Sequence, residues 1–235
     1  MKQLLFVCLL SIAGRIGVSA QETEMPSTMA SVFNQPRQFF FFDFTQTNWL
    51  NAPAGVKSEF ISGGWNFNFL YEINVIPTRL GIAPGISYAV TGVKSNAIFS
   101  YEYNGDDVTY TNLVVTEDSA ISKSKLSTSF IEIPLEIHIH SNASGARNKS
   151  FLIAPGFRAG VMVGDFWKLT ILNPPFSKIK IYDIENVSPF RYGVSLRLMF
   201  YKFGLFGYYQ LNHLFEKDKG PQITPVSFGI TVSPF

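Results

Sequence analysis

A chain of 235 residues with 23 phenylalanines, 10 tyrosines and only 15% charged residues falls well below the roughly one quarter of charged residues usual in soluble domains. Its formal net charge of +2 leaves no electrostatic footprint for a nucleic-acid partner, and its single cysteine, Cys8, excludes a disulfide framework. Beyond the N-terminus no stretch reaches the roughly 18 uninterrupted apolar residues that a membrane helix needs, which leaves a soluble β-protein or a membrane β-barrel.

The chain opens with a signal peptide expected over residues 1–20. Lys2 supplies the positive n-region, residues 4–12 the apolar run, and Val18-Ser19-Ala20 a small-residue cleavage site before Gln21. Arg15 is the one charge between the apolar run and the cut. Losing Lys2 and Arg15 takes the 19 basic residues to 17, equal to the 17 acidic ones, so the mature chain is neutral. Residues 21–37 read as a periplasmic N-terminal segment, and residues 38–235 as one β domain.

From residue 38 onward apolar residues recur at period two, the signature of strands with unlike faces. The first segment, 38–49, opens with Phe39 to Phe42. In 64–75, Trp65, Phe67, Phe69, Tyr71, Ile73 and Val75 oppose Asn66, Asn68, Glu72 and Asn74. Segment 80–90 sets Ile82, Ile86, Tyr88 and Val90 against small residues. In 131–140, five aliphatic residues oppose Glu132, Glu136, His138 and His140. Segment 150–164 carries Arg158 among glycines, and 190–201 carries Arg191 and Arg197 opposite Phe190, Tyr192, Val194, Leu196, Leu198 and Phe200. Segments 203–211 and 226–232 complete a set of eight.

The connections alternate in length. They are long at 50–63, 91–130, 165–189 and 212–225, and short at 76–79, 141–149 and Lys202. Short periplasmic turns and longer external loops mark outer-membrane barrels. Residues 98–103 and 108–115 flank Asn104-Gly105, a pair suited to a tight hairpin, so this hairpin is expected to project beyond the membrane. The fold class is therefore an all-β, eight-stranded antiparallel up-and-down transmembrane barrel.

An eight-stranded barrel has an interior just wide enough for side chains. The row Trp65, Phe67, Phe69 and Tyr71 is too bulky for it, so the apolar faces point outward to lipid. The interior then receives Glu72, Glu132, Glu136, Arg158, Arg191 and Arg197, together with His138 and His140. Charges out of water must be paired. Glu132 and Glu136 are expected to pair with Arg158, Arg191 or Arg197, in a filled lumen and not an open pore.

No catalytic, cofactor-binding or metal-binding residue is assigned. His138 and His140 share a strand face at a spacing that can bind metal, yet the sequence signals no third ligand. His213 and Glu216 lie together at a strand end, but the sequence has no G-x-S-x-G nucleophile elbow. P-loop, dinucleotide, zinc and EF-hand motifs are absent as well. The expected partners are outer-membrane lipid and, through the external loops 91–130 and 165–189, a protein; no nucleic acid is expected.

Phe130-Ile131-Glu132-Ile133-Pro134-Leu135-Glu136-Ile137 resembles the "YLEIPL" strand of the PorT-like outer-membrane β-barrel proteins of Bacteroidetes. Ile82-Ala83-Pro84-Gly85-Ile86-Ser87-Tyr88 looks like that family's "PGLLY" strand, and Ala154-Pro155-Gly156-Phe157-Arg158-Ala159-Gly160 like its "GPYAGY" strand. The resemblance covers about residues 39–231. It implies an eight-stranded outer-membrane barrel, some of whose relatives serve type IX secretion and gliding, and it supplies no catalytic residues. The leading expectation is a non-enzymatic structural or interaction barrel. The rivals are a secretion-apparatus subunit, a lipid-modifying enzyme, a small-solute channel and a soluble periplasmic barrel carrying a lipid.

Overall fold

The computed structural model describes residues 37–59, 62–76, 79–105, 107–115, 121–141, 151–171 and 177–234. The expected signal peptide and nearly all of the periplasmic segment lie outside them. Eleven strands follow in chain order: β1 (Arg37–Leu50), β2 (Gly63–Ile76), β3 (Leu80–Ser95), β4 (Ala97–Asn104), β5 (Asp107–Val115), β6 (Ile121–His140), β7 (Phe151–Ile171), β8 (Ser177–Tyr182), β9 (Phe190–Phe200), β10 (Phe203–Gln210) and β11 (Thr224–Val232).

Eight of these close a ring in the order β6-β3-β2-β1-β11-β10-β9-β7, with β7 returning to β6. Every neighbouring pair is antiparallel. The ring strands are the eight that the period-two pattern predicts. Closure matters energetically because it leaves no unpaired sheet edge.

The alternation is an inversion of ordinary burial. Ile133 is 68% exposed and Phe190 62%, whereas Arg197 and Glu136 are 0% exposed. Along β9 the exposed residues Phe190, Tyr192, Val194 and Leu196 alternate with the buried Arg191, Gly193, Ser195 and Arg197. At about 25 cal/mol per Å², leaving such a belt against water is unfavourable; against acyl chains it is not.

The structure corrects the expected loops. Residues 91–95 and 121–130 are not loop but strand, continuing β3 and β6 in register from Val90↔Ser129 to Ser95↔Ser124. Likewise β7 continues to Ile171, and β8 pairs with this extension from Phe166↔Tyr182 to Ile171↔Ser177. The sheet thus rises beyond the ring on one side. β4 and β5 form a separate two-stranded sheet, a hairpin outside the ring, with Gly105 at φ 66 in its turn. At the opposite end β9 and β10 are joined through Tyr201 and Lys202 alone.

Candidate functional site

The lumen is built from the inward residue of each alternating pair. Arg197 of β9 reaches across it with its guanidinium between two carboxylates. It donates to Asp43 of β1, to Glu136 of β6 at 3.2 and 3.3 Å, and to the Thr231 hydroxyl of β11 at 2.6 Å. Arg191 donates from Nε to Glu132 at 2.5 Å and from Nη1 to the Thr91 hydroxyl at 3.1 Å. Arg158 of β7 donates to Asn68 of β2 and to Ser87 of β3 at 2.9 Å. Its Nε lies 3.3 Å from Glu132 Oε2, close enough for an ion pair but not aligned as a hydrogen bond.

Aromatic rings complete the packing. Phe206 has the Arg158 guanidinium 5.3 Å and that of Arg197 5.0 Å from its ring centre, Phe41 lies 4.2 Å from Arg197, and Phe130 lies 4.1 Å from Arg191. Such cation–π contacts gain strength when desolvated. Planar, weakly hydrated guanidinium groups suit both kinds of contact better than ammonium groups would.

Two glycines make the room. In register, Glu132 faces Gly160 and Glu136 faces Gly156. A Cβ added at Gly160 would stand 2.6 Å from the Glu132 side chain, and one at Gly156 would stand 2.8 Å from that of Glu136. The glycine-rich segment that follows the E-I-P-L strand is therefore the space into which that strand's carboxylates fit.

At the end of the lumen nearest the short turns, Glu72, His138 and His140 converge. His138 Nδ1 is 2.7 Å and His140 Nε2 3.0 Å from Glu72 Oε2, while His138 Nε2 is 3.3 Å from Glu136. Glu72 is the third group of metal-ligand type that spacing along one strand could not reveal, since it comes from β2. The three donor atoms lie within 4.8 Å of one another. Each ring nitrogen of His138 thus lies against a carboxyl group, Glu72 on one side and Glu136 on the other. As it stands, the cluster is a hydrogen-bonded clamp.

The sequence-predicted interior residues Glu72, Glu132, Glu136, Arg158, Arg191 and Arg197 are all buried, and the geometry brings them into one network. Asp43 was missed. It sits among phenylalanines, and its inward position follows only from the alternation of Phe41, Asp43 and Thr45.

Sequence reasoning also missed what closes the other end. Trp49, Val56, Val93, Phe99, Leu113, Leu126, Trp167, Ile184, Val187, Leu214, Phe215 and Ile223 form one buried apolar cluster. Phe99 of the β4–β5 hairpin packs edge-on against Trp167 at 4.9 Å. Backbone bonds tie the connections down: Ser188 N to Leu214 O, Leu214 N to Ile223 O, and Thr111 N to Lys219 O, each at 2.9 Å. Between this plug and Arg191 lies a cavity of about 20 Å³, room for about one water.

His213 and Glu216 border an open surface cleft with Tyr192 and Asn212. The Glu216 carboxylate is held by Lys219 at 2.7 Å. No family model and no curated protein matches the sequence. Among solved structures the chain is similar to Ail, the attachment invasion locus protein of Yersinia pestis, at a TM-score of 0.37 and 13% identity, over 83% of this chain and 95% of that one.

Proposed function

We propose that this chain is an outer-membrane barrel whose role is structural or interactive and neither catalytic nor conductive. The observation that carries this reading is the inverted burial: apolar side chains outside, and a paired Arg/Glu/Asp network inside. A lumen cross-braced by ion pairs and capped by an apolar plug favours a rigid wall over a channel.

Three measurements test the proposal. The protein should fractionate with outer membranes and migrate faster unheated than heated in detergent gels. In planar bilayers it should give no steady conductance; a stable large conductance would replace this reading with a channel. A narrower role in type IX secretion or gliding rests on the resemblance of the Phe130 to Ile137 strand. Affinity isolation from native membranes should then recover components of that machinery, and isolation of the barrel alone would count against it.

A further inference from the structure

The extensions of β3, β6, β7 and β8 carry a feature that the wall itself does not require. Register places Lys94 opposite Lys125, Lys125 opposite Lys168, and Lys168 opposite Lys180. Four lysines therefore stand side by side across four neighbouring strands. The next outward row adds Lys123 and Lys178, on either side of Thr170. Like charges directly opposite one another destabilise a sheet, so the row costs stability.

The face is settled by the neighbours. Lys125 lies between Ser124 and Leu126, both buried, and Lys168 follows the buried Trp167; the lysines therefore point away from the interior. No carboxylate lies within ion-pair distance of Lys94, Lys125, Lys168 or Lys180 among the described residues. Burial first, and then the charges of Lys94 and Lys168, push the Lys125 ammonium below its ordinary value. Lysines can guard an exposed sheet edge, but that need would be met on β8, the edge strand. Here the row runs inward across three internal strands.

Its height on the barrel indicates what it meets. Immediately below it the outward positions on β7 and β8 are Phe166 and Tyr182, whose rings lie 6.1 Å apart, and on β3 and β6 they are Gly92 and Ser127. Trp65 and Tyr88, 5.5 Å apart, form a further outward aromatic pair lower on β2 and β3. Lys180 sits 5.2 Å from the centre of the Phe166 ring. Aromatic girdles mark the edges of the hydrocarbon layer. Lys168, two residues beyond Phe166, stands roughly 5 Å further out at about 3.3 Å per residue and a tilt of about 40°. From Phe151 at the other end to Lys168 the same geometry gives roughly 40 Å, close to the thickness of a bilayer including its headgroups.

We propose that Lys94, Lys125, Lys168 and Lys180 form a docking surface for the phosphate groups of lipids in the outer leaflet, so that one side of the barrel holds a phosphorylated glycolipid against it. The proposal rests on the outer-membrane reading. It reassigns much of residues 91–130 and 165–189 from protein docking to lipid docking. Ammonium groups suit this task as point charges that bind phosphate without fixed geometry.

The test uses the mature full-length protein folded in neutral detergent, titrated with diphosphorylated lipid A and followed by native mass spectrometry. Insertion into lipid vesicles is measured first; a wild type that does not insert overturns both the outer-membrane reading and this proposal. With insertion intact, the combined variant Lys94→Gln, Lys125→Gln, Lys168→Gln and Lys180→Gln should bind lipid A at least about ten-fold more weakly, since each surface lysine contributes to anionic-lipid affinity. The same four positions changed to Arg should retain binding, and enzymatically dephosphorylated lipid A should behave toward wild type as lipid A does toward the Gln variant. Equal binding by the Gln variant, or equal binding of the dephosphorylated lipid, overturns the proposal while leaving the barrel reading intact. Binding of inorganic phosphate or soluble polyglutamate as tight as that of lipid A, lost in the same variant, would assign the row to a soluble anionic partner and overturn it too.

Discussion

The two ends of the interior are closed by opposite chemistry. Toward the short turns and through the middle, the lumen is filled by Arg158, Arg191 and Arg197 against Asp43, Glu132 and Glu136, with Glu72 clamped between histidines. Toward the long connections it is filled by Trp167, Phe99, Phe215 and Leu214. The charged part lies on ring strands, whose register fixes each partner. The plug is assembled largely from hairpin and loop residues, which need only exclude water from one another. A defect in the first leaves a charge with no counter-charge; a defect in the second leaves a hole.

That contrast sets the order of expected effects. Arg197→Met should be the most damaging change, because it strands Asp43 and Glu136 in the lumen; loss of one partner of a buried pair costs about 3–5 kcal/mol. Urea titration of the refolded barrel measures this, and adding Glu136→Gln should restore part of the loss. If Arg197→Met unfolds at the wild-type midpoint, the charged lumen is not what holds the wall. Leu196→Arg, the neighbouring outward position, should cost about 2–4 kcal/mol in a bilayer and much less in small detergent micelles that deform around the charge. A smaller global effect is expected of Gly160→Ala. Its Cβ would lie 2.6 Å from the Glu132 side chain and 2.7 Å from the Ile131 carbonyl oxygen, an overpacking cost of about 1–3 kcal/mol.

In the plug, Phe99→Ala removes the ring between Trp167 and Phe215. It should leave the urea midpoint of the ring strands nearly unchanged while the β4–β5 hairpin becomes readily cleaved by protease. A matching drop in the ring's midpoint would mean that plug and wall form one cooperative unit. The smallest effect is expected from metal removal. With both ring nitrogens of His138 facing carboxylates, prolonged treatment with a chelator should leave the unfolding midpoint unmoved, and a fall would show Glu72, His138 and His140 to be metal ligands.

The contrast also explains what could be read from the sequence. Period two reveals a ring strand wherever one face meets lipid and the other does not, so all eight ring strands and the inward direction of Glu132, Arg158 and Arg197 were legible. Partner choice was not. Arg197 meets Asp43 at a separation of 154 residues, set by barrel circumference and shear and invisible along the chain. The strand extensions were hidden because Lys94, Lys125 and Lys168 break the apolar alternation at the point where the strands rise above the aromatic level. β8 reads Ser-Lys-Ile-Lys-Ile-Tyr, an alternation too short to stand out within a long connection. The loop part of the plug had no periodic signal: Val56, Ile184, Val187, Leu214, Phe215 and Ile223 lie in connections, and only the fold collects them against the strand residues Trp49, Phe99 and Trp167.

The arrangement of the lumen bears on how such a chain assembles. β1 and β11, the first and last strands of the ring, meet along nine residue pairs from Phe42↔Val232 to Leu50↔Thr224. Thr47 and Ser227, 180 residues apart, share a 2.7 Å hydrogen bond just inside that seam. Asp43 belongs to β1 and Thr231 to β11, and Arg197 grips both. Until the seam zips, this guanidinium lacks Asp43, its carboxylate partner across the seam, whereas Glu136 and Thr231 lie on its own side of it. Joining the two end strands therefore completes the pairing of Arg197 with Asp43, while the pairs among β6, β7 and β9 form without it. An open seam in the bilayer thus leaves Asp43 without its counter-charge, a cost that closure of the β1–β11 pairing removes.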